Sequence, residues 1–399
     1  MIDFSLTKEQ ISIRKSVRDF CKKEIIPIAF ELDQISDPKD VSLRAFEVMK
    51  KGADLELPFL IIPEAYGGMG LDNRTIGIVF EELAAADAGF AGNFGISNIA
   101  WLPLLNGGTD EQKDKWLRKA TENDNTGPFI ASWAATEPQG IGLDTESIWS
   151  TGQFSVNLKT FASLEEDFYR IDGEKCFITG GSFSKLCIVL ANTPEGPSHF
   201  IVPTETKGFK IIRHENLMGH RNMNNTAIAF DGVKIPKANL ISGREGNGVP
   251  ELMSVLGYSD AWVASIAVGL ARAAYEASLE YAKKRFIGGR PIIQFQAVGM
   301  MIADMAMMIE ASRALVWRAL WTNDTQPAPD AKLSALAKIF ASDTAMKVTT
   351  DAVQVYGGAG YMKENPVEKY MRDAKVTQIY EGTNQLLRII ASIMLFLDM

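Results

Sequence analysis

Residues 352–388 read AVQVYGGAGYMKENPVEKYMRDAKVTQIYEGTNQLLR, and the chain stays largely apolar after them, through IIASIMLFL at 389–397. In that segment one carboxylate, Glu381, stands between Tyr380 and Gly382, just ahead of the apolar run. Gly382 permits a sharp turn, because a residue without Cβ enters backbone conformations closed to others. Thr383 or Asn384 can cap the following helix, a side-chain oxygen accepting one of its free N–H groups. Glu381 therefore lies just outside a helix N-terminus, where the macrodipole favours negative charge. These residues alone leave two readings: a turn glutamate facing water, or a carboxylate placed for chemistry.

The whole chain narrows the field. It has 399 residues, 46% hydrophobic and 23% charged, as expected of a globular protein with more than one core. A net charge of −8 without a long basic run argues against binding a phosphate backbone, so no nucleic-acid partner is expected. Cys21, Cys176 and Cys187 show no paired spacing and point to a reducing compartment. His199, His214 and His220 are scattered, so no metal site is expected. The opening MIDFSLTKEQ lacks the basic and apolar regions of a signal peptide. The run IIASIMLFL is too short to span a bilayer, so no membrane insertion is expected. The expectation is a cytoplasmic protein of a bacterium, or the mature form of a mitochondrial matrix protein, and not a secreted one.

Periodicity divides the chain in three. Residues 1–128 read as helical: Ile11, Ile13, Val17, Phe20 and Ile25 recur near helical spacing, and TDEQKDKWLRKATE opens on a Thr N-cap with an acidic first turn. The glycine-rich PEAYGGMG at 63–70 reads as a connecting turn. From 129 to 243 short β-branched runs alternate with Gly, Pro, Asn and Asp, as in a small antiparallel β-barrel or sandwich. Within them, 145–163 is polar and irregular and reads as a surface loop. From 244 to 399 the pattern is helical again, with Ile292, Phe295, Met301, Ile302, Met305, Ile309 and Val316 marking one face. The methionines there read as core filler. The fold class is α+β, mostly α.

The stretch 352–388 closely resembles the C-terminal signature of the acyl-CoA dehydrogenase family, without gaps. Other blocks agree in order: PEAYGGMGLD (63–72), EELAAADAGFAG (81–92), AATEP (134–138), IDGEKCFITGG (171–181), GHRNMNNTAIAFDGVKIPKANLI (219–241) and KKRFIGGRPIIQFQAV (283–298). The resemblance implies an N-terminal helical domain, a central β-domain and a C-terminal four-helix bundle, with FAD extended between the latter two. It implies α,β-dehydrogenation of an acyl-CoA thioester to the trans-2-enoyl-CoA, in a homotetramer built as a dimer of dimers. Glu381 falls on the catalytic base, which takes the α-proton while the β-hydrogen leaves as hydride to flavin N5. An electron-transfer flavoprotein takes the electrons. Such a base needs an apolar, water-poor setting that raises its pKa, and the enolate-like oxygen needs fixed donors, which the family supplies from the base's own N–H and a flavin hydroxyl.

Flavin contacts carry over by position. Trp133, Ala135, Thr136, Phe177 and Thr179 fall beside the isoalloxazine. Arg285, Gln296, Gln354, Gly357 and Gly358 fall where a neighbouring subunit reaches the pyrophosphate and adenosine end. Thr383 and Gln385 fall at the helix N-terminus facing the adenosine diphosphate. Tyr380 and Gly382 flank the base on the substrate side. The chain also departs from the pattern. TEPQGIGLD is one residue longer than usual and puts Leu143 where a hydrogen-bonding serine is common. Gly288, Met223 and Phe177 replace a usual Phe, Ser and Trp. Asp260 replaces a usual arginine on the substrate-lining helix. It reads either as a second carboxylate in the cavity or as a helix-start residue exposed to water. These changes bear on the CoA grip and pocket shape, and so on substrate identity more than on reaction type; the expected substrate is a short, branched or alicyclic acyl thioester. A flavin enoyl-CoA reductase, an acyl-CoA oxidase and a catalytically silent flavin- or acyl-CoA-binding scaffold are the competing expectations.

Overall fold

The computed structural model describes residues 4–122, 127–140 and 156–397. Leu143 and most of the loop after Thr145 lie outside the described residues. The chain starts with α1 (Lys8–Phe20), opened by a reciprocal Thr7–Gln10 capping box, then passes through a π-helical turn (Cys21–Ile25) into α2 (Ile26–Gln34). Val17, Phe20 and Ile25 are buried as the spacing predicts, whereas Ile11 is 48% exposed on the outer side. Helices α3 (Pro38–Ala53), α4 (Asn73–Ala86) and α5 (Ala88–Gly107) are capped by Asp37, Asp72 and Asp87, and α6 (Asp110–Thr121) by Thr109. Helix α5 is buried on nearly every side, which explains why its sequence is apolar without a period.

Two sheets follow. One is ordered β1 (Ala131–Ala134), β4 (Leu186–Ala191), β5 (Ser198–Pro203). The other is ordered β2 (Phe161–Glu165), β3 (Phe168–Thr179), β7 (Asn225–Pro236), β6 (Phe209–His214). They face each other as a sandwich, with Cys187, Val189 and Phe200 of one meeting Tyr169, Ile171, Ile228 and Phe230 of the other. On the far side of the first sheet, Ala131, Leu186, Ile188 and Ile201 pack on Trp101 and Leu104 of α5 and on Trp116 and Leu117 of α6. Strand β4 is thus buried on both faces, and LCIVLA reads as a continuous apolar run. Among the described strand ladders all are antiparallel except β1, which runs parallel to β4 with Ala131 opposite Leu186; an isolated parallel bridge also joins Phe161 to Asn192. Strands β2 and β3 intervene in sequence, which gives the long crossover that a parallel pair requires.

The expectation of a surface loop over 145–163 fails at its C-terminal end. Leu158 and Thr160 are buried, and β2 begins at Phe161. The buried carboxylate of Glu137 accepts hydrogen bonds from the amides of Lys159 (2.7 Å) and Thr160 (2.9 Å) and from Lys175 Nζ (3.0 Å), pinning this polar-looking stretch inside.

The C-terminal part is built around α7 (Gly248–Lys284), which packs against α4, α5, α8 (Gln296–Thr325), α9 (Ala331–Tyr356) and α10 (Pro366–Thr377). Helix α7 has the length and apolarity of a membrane span, but 78% of its apolar window is buried inside the protein. Ile302, Met305, Ile309 and Val316 form the inner face of α8, while Met300 and Met307 are 67% and 63% exposed, so not all these methionines fill the core. A hairpin, β8 (Phe286–Ile287) and β9 (Arg290–Pro291), turns through Gly288 and Gly289, both at positive φ. The last helix, α11 (Asn384–Leu397), adds to the α7–α10 bundle by packing Leu387 and Ile390 on Ala335 and Ile339 of α9.

Candidate active site

Between α10 and α11 the chain turns through two consecutive positive-φ residues. Glu381 has φ +53° and Gly382 φ +104°. A left-handed backbone is uncommon for a non-glycine residue and costs about 1 kcal/mol or more, so its surroundings must hold it there. Lys338 of α9, itself 1% exposed, does so by donating to Gly382 O at 2.7 Å and to Asn384 Oδ1 at 3.0 Å. Thr383 caps α11, its Oγ1 accepting from Leu386 N–H at 3.3 Å. Tyr380 N–H goes to Val376 O and Asn384 N–H to Gln378 O, but no described backbone carbonyl takes the N–H of Glu381. Carboxylate and amide of one residue are thus offered together.

The carboxylate is aimed by α7, where Ser259 donates its hydroxyl to Glu381 Oε2 at 2.7 Å. Glu381 is half-buried, and burial pushes its pKa above the ordinary carboxylate value. The Ser259 hydrogen bond and the Lys338 charge pull the other way without cancelling that effect. The next residue, Asp260, is 2% exposed in mid-helix, so the reading of a water-exposed helix start is wrong. The helix starts at Gly248, three turns earlier than that reading needs. Burial raises Asp260 well above its usual range, Lys338 lowers it and Glu381 raises it.

Tyr380 points its hydroxyl into the protein, where the atom finds no hydrogen-bond partner among the described residues. Its ring lies 6.3 Å from that of His220, edge to face. His220 is completely buried, with both ring nitrogens unpartnered among the described residues, and burial pushes its pKa down, which favours the neutral imidazole. Its amide donates to Asp373 Oδ1 at 2.6 Å, and Lys369 bridges Asp373 (2.6 Å) and Asp87 (2.7 Å). This ion network, which His220 links to the ring of Tyr380, was missed in the sequence, where three scattered histidines carry no signal.

The β-domain candidates come together at the ends of β1 and β3. Cys176 N–H donates to Thr136 O at 3.0 Å, and Lys175 Nζ to Ala135 O at 2.9 Å. A break in the β3–β7 register between Lys175 and Ile178 puts Phe177 at φ +59° and leaves it 62% exposed. A bulge of this kind re-aims a side chain out of the sheet. Trp133, half-buried, donates Nε1–H to His199 Nε2 at 3.3 Å, while His199 Nδ1 and Glu251 Oε2 lie 2.8 Å apart. Thr179 accepts from Asn225 Nδ2 at 3.3 Å and sits 4.0 Å from Met223 Sδ; Met223 N–H donates to His220 O at 2.7 Å. That chain of contacts joins the β-domain set to Tyr380 and Glu381.

The remaining candidates fall into two groups that one chain does not unite. Tyr281 stacks on Tyr356 at 3.9 Å, so Arg285, after the end of α7, shares one end of the bundle with Gln354, Gly357 and Gly358. Gln296 follows the nearby hairpin. Thr383 and Gln385 lie near Lys338, toward the other end of α9, about 24 Å away at 1.5 Å per residue over the helix from Lys338 to Gln354. Arg285, Gln296, Gln354, Gly357, Gly358, Thr383 and Gln385 are all exposed. The residues suit a long ligand with an aromatic ring and phosphates. Phe177 offers an exposed ring face, Arg285 an exposed cation, and an added Cβ at Gly357 or Gly358 would meet nothing within 4 Å.

Comparison with known proteins agrees along the whole chain. Residues 7–124, 132–233 and 246–395 match the N-terminal, middle and C-terminal domains of acyl-CoA dehydrogenase. The chain belongs to the acyl-CoA dehydrogenase family, and it is an oxidoreductase whose cofactor is FAD. It is similar to cyclohex-1-ene-1-carbonyl-CoA dehydrogenase of Geobacter metallireducens, 38% identical over 390 residues covering 96% of this chain and 97% of that protein. Among solved structures it resembles butyryl-CoA dehydrogenase from Megasphaera elsdenii, with TM-score 0.88 and 34% identity over 99% of this chain and 100% of that one. It also resembles a chain from the structure of the electron transferring flavoprotein of Acidaminococcus fermentans, with TM-score 0.88 and 36% identity, covering 99% of each.

Proposed function

We propose that Glu381 is the catalytic base for α,β-dehydrogenation of an acyl-CoA whose acyl group is short, branched or alicyclic. The observation that carries this reading is the Glu381 turn: a carboxyl with raised proton affinity, aimed by Ser259, beside its own free amide N–H. A base must hold a proton affinity near that of the medium to take a weakly acidic α-proton, and burial moves Glu381 in that direction. The free N–H is a preformed donor for the thioester oxygen as negative charge develops there. The bound flavin supplies the acceptor for the β-hydride. On this chain Trp133, Ala135, Thr136, Phe177 and Thr179 would hold its ring end. Arg285, Gln296, Gln354, Gly357 and Gly358 of a second copy, with Thr383 and Gln385, would hold its phosphates. A homotetramer is the assembly that brings both groups together, and an electron-transfer flavoprotein is the electron acceptor. The three unpaired cysteines fit a cytoplasmic or matrix setting.

The acyl preference is supported by relatives whose names specify an alicyclic and a four-carbon thioester. Anaerobic titration of the flavin band with butyryl-CoA, a branched acyl-CoA and cyclohex-1-ene-1-carbonyl-CoA tests it. Bleaching by one of them is the expected result, and bleaching only by long straight-chain thioesters would overturn the preference. Glu381→Gln is expected to retain FAD and lose turnover by about 10³-fold or more, consistent with removing a positioned base. Normal turnover in that variant would overturn the assignment.

A further inference from the structure

Two carboxyls and one ammonium act on one another around the turn. Asp260 and Lys338 are 2% and 1% exposed, and Asp260 Oδ1 has no hydrogen-bond partner among the described residues. Lys338 is tied by two hydrogen bonds to the Glu381 turn, and Ser259, the neighbour of Asp260 on α7, is hydrogen-bonded to Glu381 itself. The charged groups bearing on this cluster from the elements around it are Lys338 from α9 on both carboxyls, and Asp343 and Arg388 on Lys338 from α9 and α11. Asp343 and Arg388 pair with each other at 2.6 Å. One buried cation therefore faces two carboxyls. An isolated buried negative charge is costly, so the low-energy state has one charge on the pair and one proton. Glu381 is the better place for the charge, because the Ser259 hydroxyl donates to it while Asp260 has an oxygen with no donor.

We propose that Asp260 and Glu381 share a single negative charge against Lys338, so that proton uptake by Glu381 is matched by proton release from Asp260. The role in turnover rests on Glu381 being the base; the sharing itself does not. In the resting state Glu381 is the carboxylate and Asp260 the carboxylic acid. When Glu381 takes the α-proton, its O–H bond forms and the substrate C–H electron pair stays with the substrate. Lys338 is then left without a counter-charge, and Asp260 ionises, its proton passing to solvent. The net charge of the cluster stays constant through the proton transfer. Asp260 is a positioning residue here, acting through Lys338 and Glu381.

The test is the infrared carbonyl stretch of a protonated buried carboxylic acid, recorded on unliganded FAD-loaded enzyme at neutral pH. Wild type is expected to show the band, and Asp260→Asn to lack it. Glu381→Gln, which removes the competing charge, is expected to lose it too, because Asp260 then ionises alone beside Lys338. A wild-type enzyme without the band, or a band that persists in Glu381→Gln, overturns the proposal. In steady state, Asp260→Asn is expected to lose roughly tenfold in kcat with KM within about twofold, because Asn cannot release a proton when Glu381 takes one. An unchanged kcat would overturn the role in turnover. Failure of the base assignment would appear separately, as an active Glu381→Gln.

Discussion

Ser259 Oγ stands 2.7 Å from Glu381 Oε2, a bond from the middle of one long helix to a carboxylate on a left-handed turn 122 residues later. It is the one side-chain hydrogen bond to that carboxylate among the described residues, so it aims the carboxylate and favours its charged form. Because the donor favours the charged form, it lowers the Glu381 pKa against the raising effect of burial.

Ser259→Ala should therefore raise that pKa further. A hydrogen bond to a charged group contributes about 1.5–3 kcal/mol, so the acid limb of kcat/KM is expected to move up by about one pH unit or more. A pH–rate profile checks this; a limb that stays in place or moves down would show that Ser259 does not act on the base.

Lys369 is expected to be the strongest single stability contact under the site. Burial pushes the Asp87 carboxyl up, but the charge and hydrogen bond of Lys369 outweigh this and hold it below its ordinary value. The stability it adds is present above the ordinary aspartate range near pH 4 and is lost as pH falls through the lower folded value. Lys369→Met leaves Asp87 and Asp373 buried without their cation and should cost about 3–5 kcal/mol in denaturant unfolding at neutral pH. The deficit should shrink in acid, as protonation neutralises the stranded carboxylates.

Phe177 separates binding from folding. It is 62% exposed, so Phe177→Ala should change apoprotein stability by no more than about 0.5 kcal/mol. The same change is expected to weaken FAD retention measurably on dilution and gel filtration. Equal retention would move the flavin ring away from this bulge.

The split between the Arg285 and Thr383 groups predicts a link between assembly and cofactor. Light scattering on the FAD-loaded protein should report a tetramer, and Arg285→Ala should lower FAD occupancy without melting the fold, since Arg285 is exposed. Full occupancy in a monomer would contradict the cross-subunit arrangement.

Local signals made much of this protein readable from sequence. Apolar spacing marked the inner face of α8, Thr109 the start of α6, and the YEGT stretch a capped turn with one carboxylate. These are properties of neighbouring residues, because helix periods and caps act within a few positions. The parallel β1–β4 pair, the inward course of Leu158 and Thr160, and the burial of Asp260 depend on partners tens to hundreds of residues away. Asp260 shows the limit most clearly. In sequence it was a polar residue in an apolar segment, open to two readings, and only the packing of α9 and the Glu381 turn against α7 buried it within reach of the Lys338 charge. Sequence determined which groups the chain carries and which turns it makes. Tertiary structure decided their proton affinities, because these depend on burial and on charges brought close only by folding.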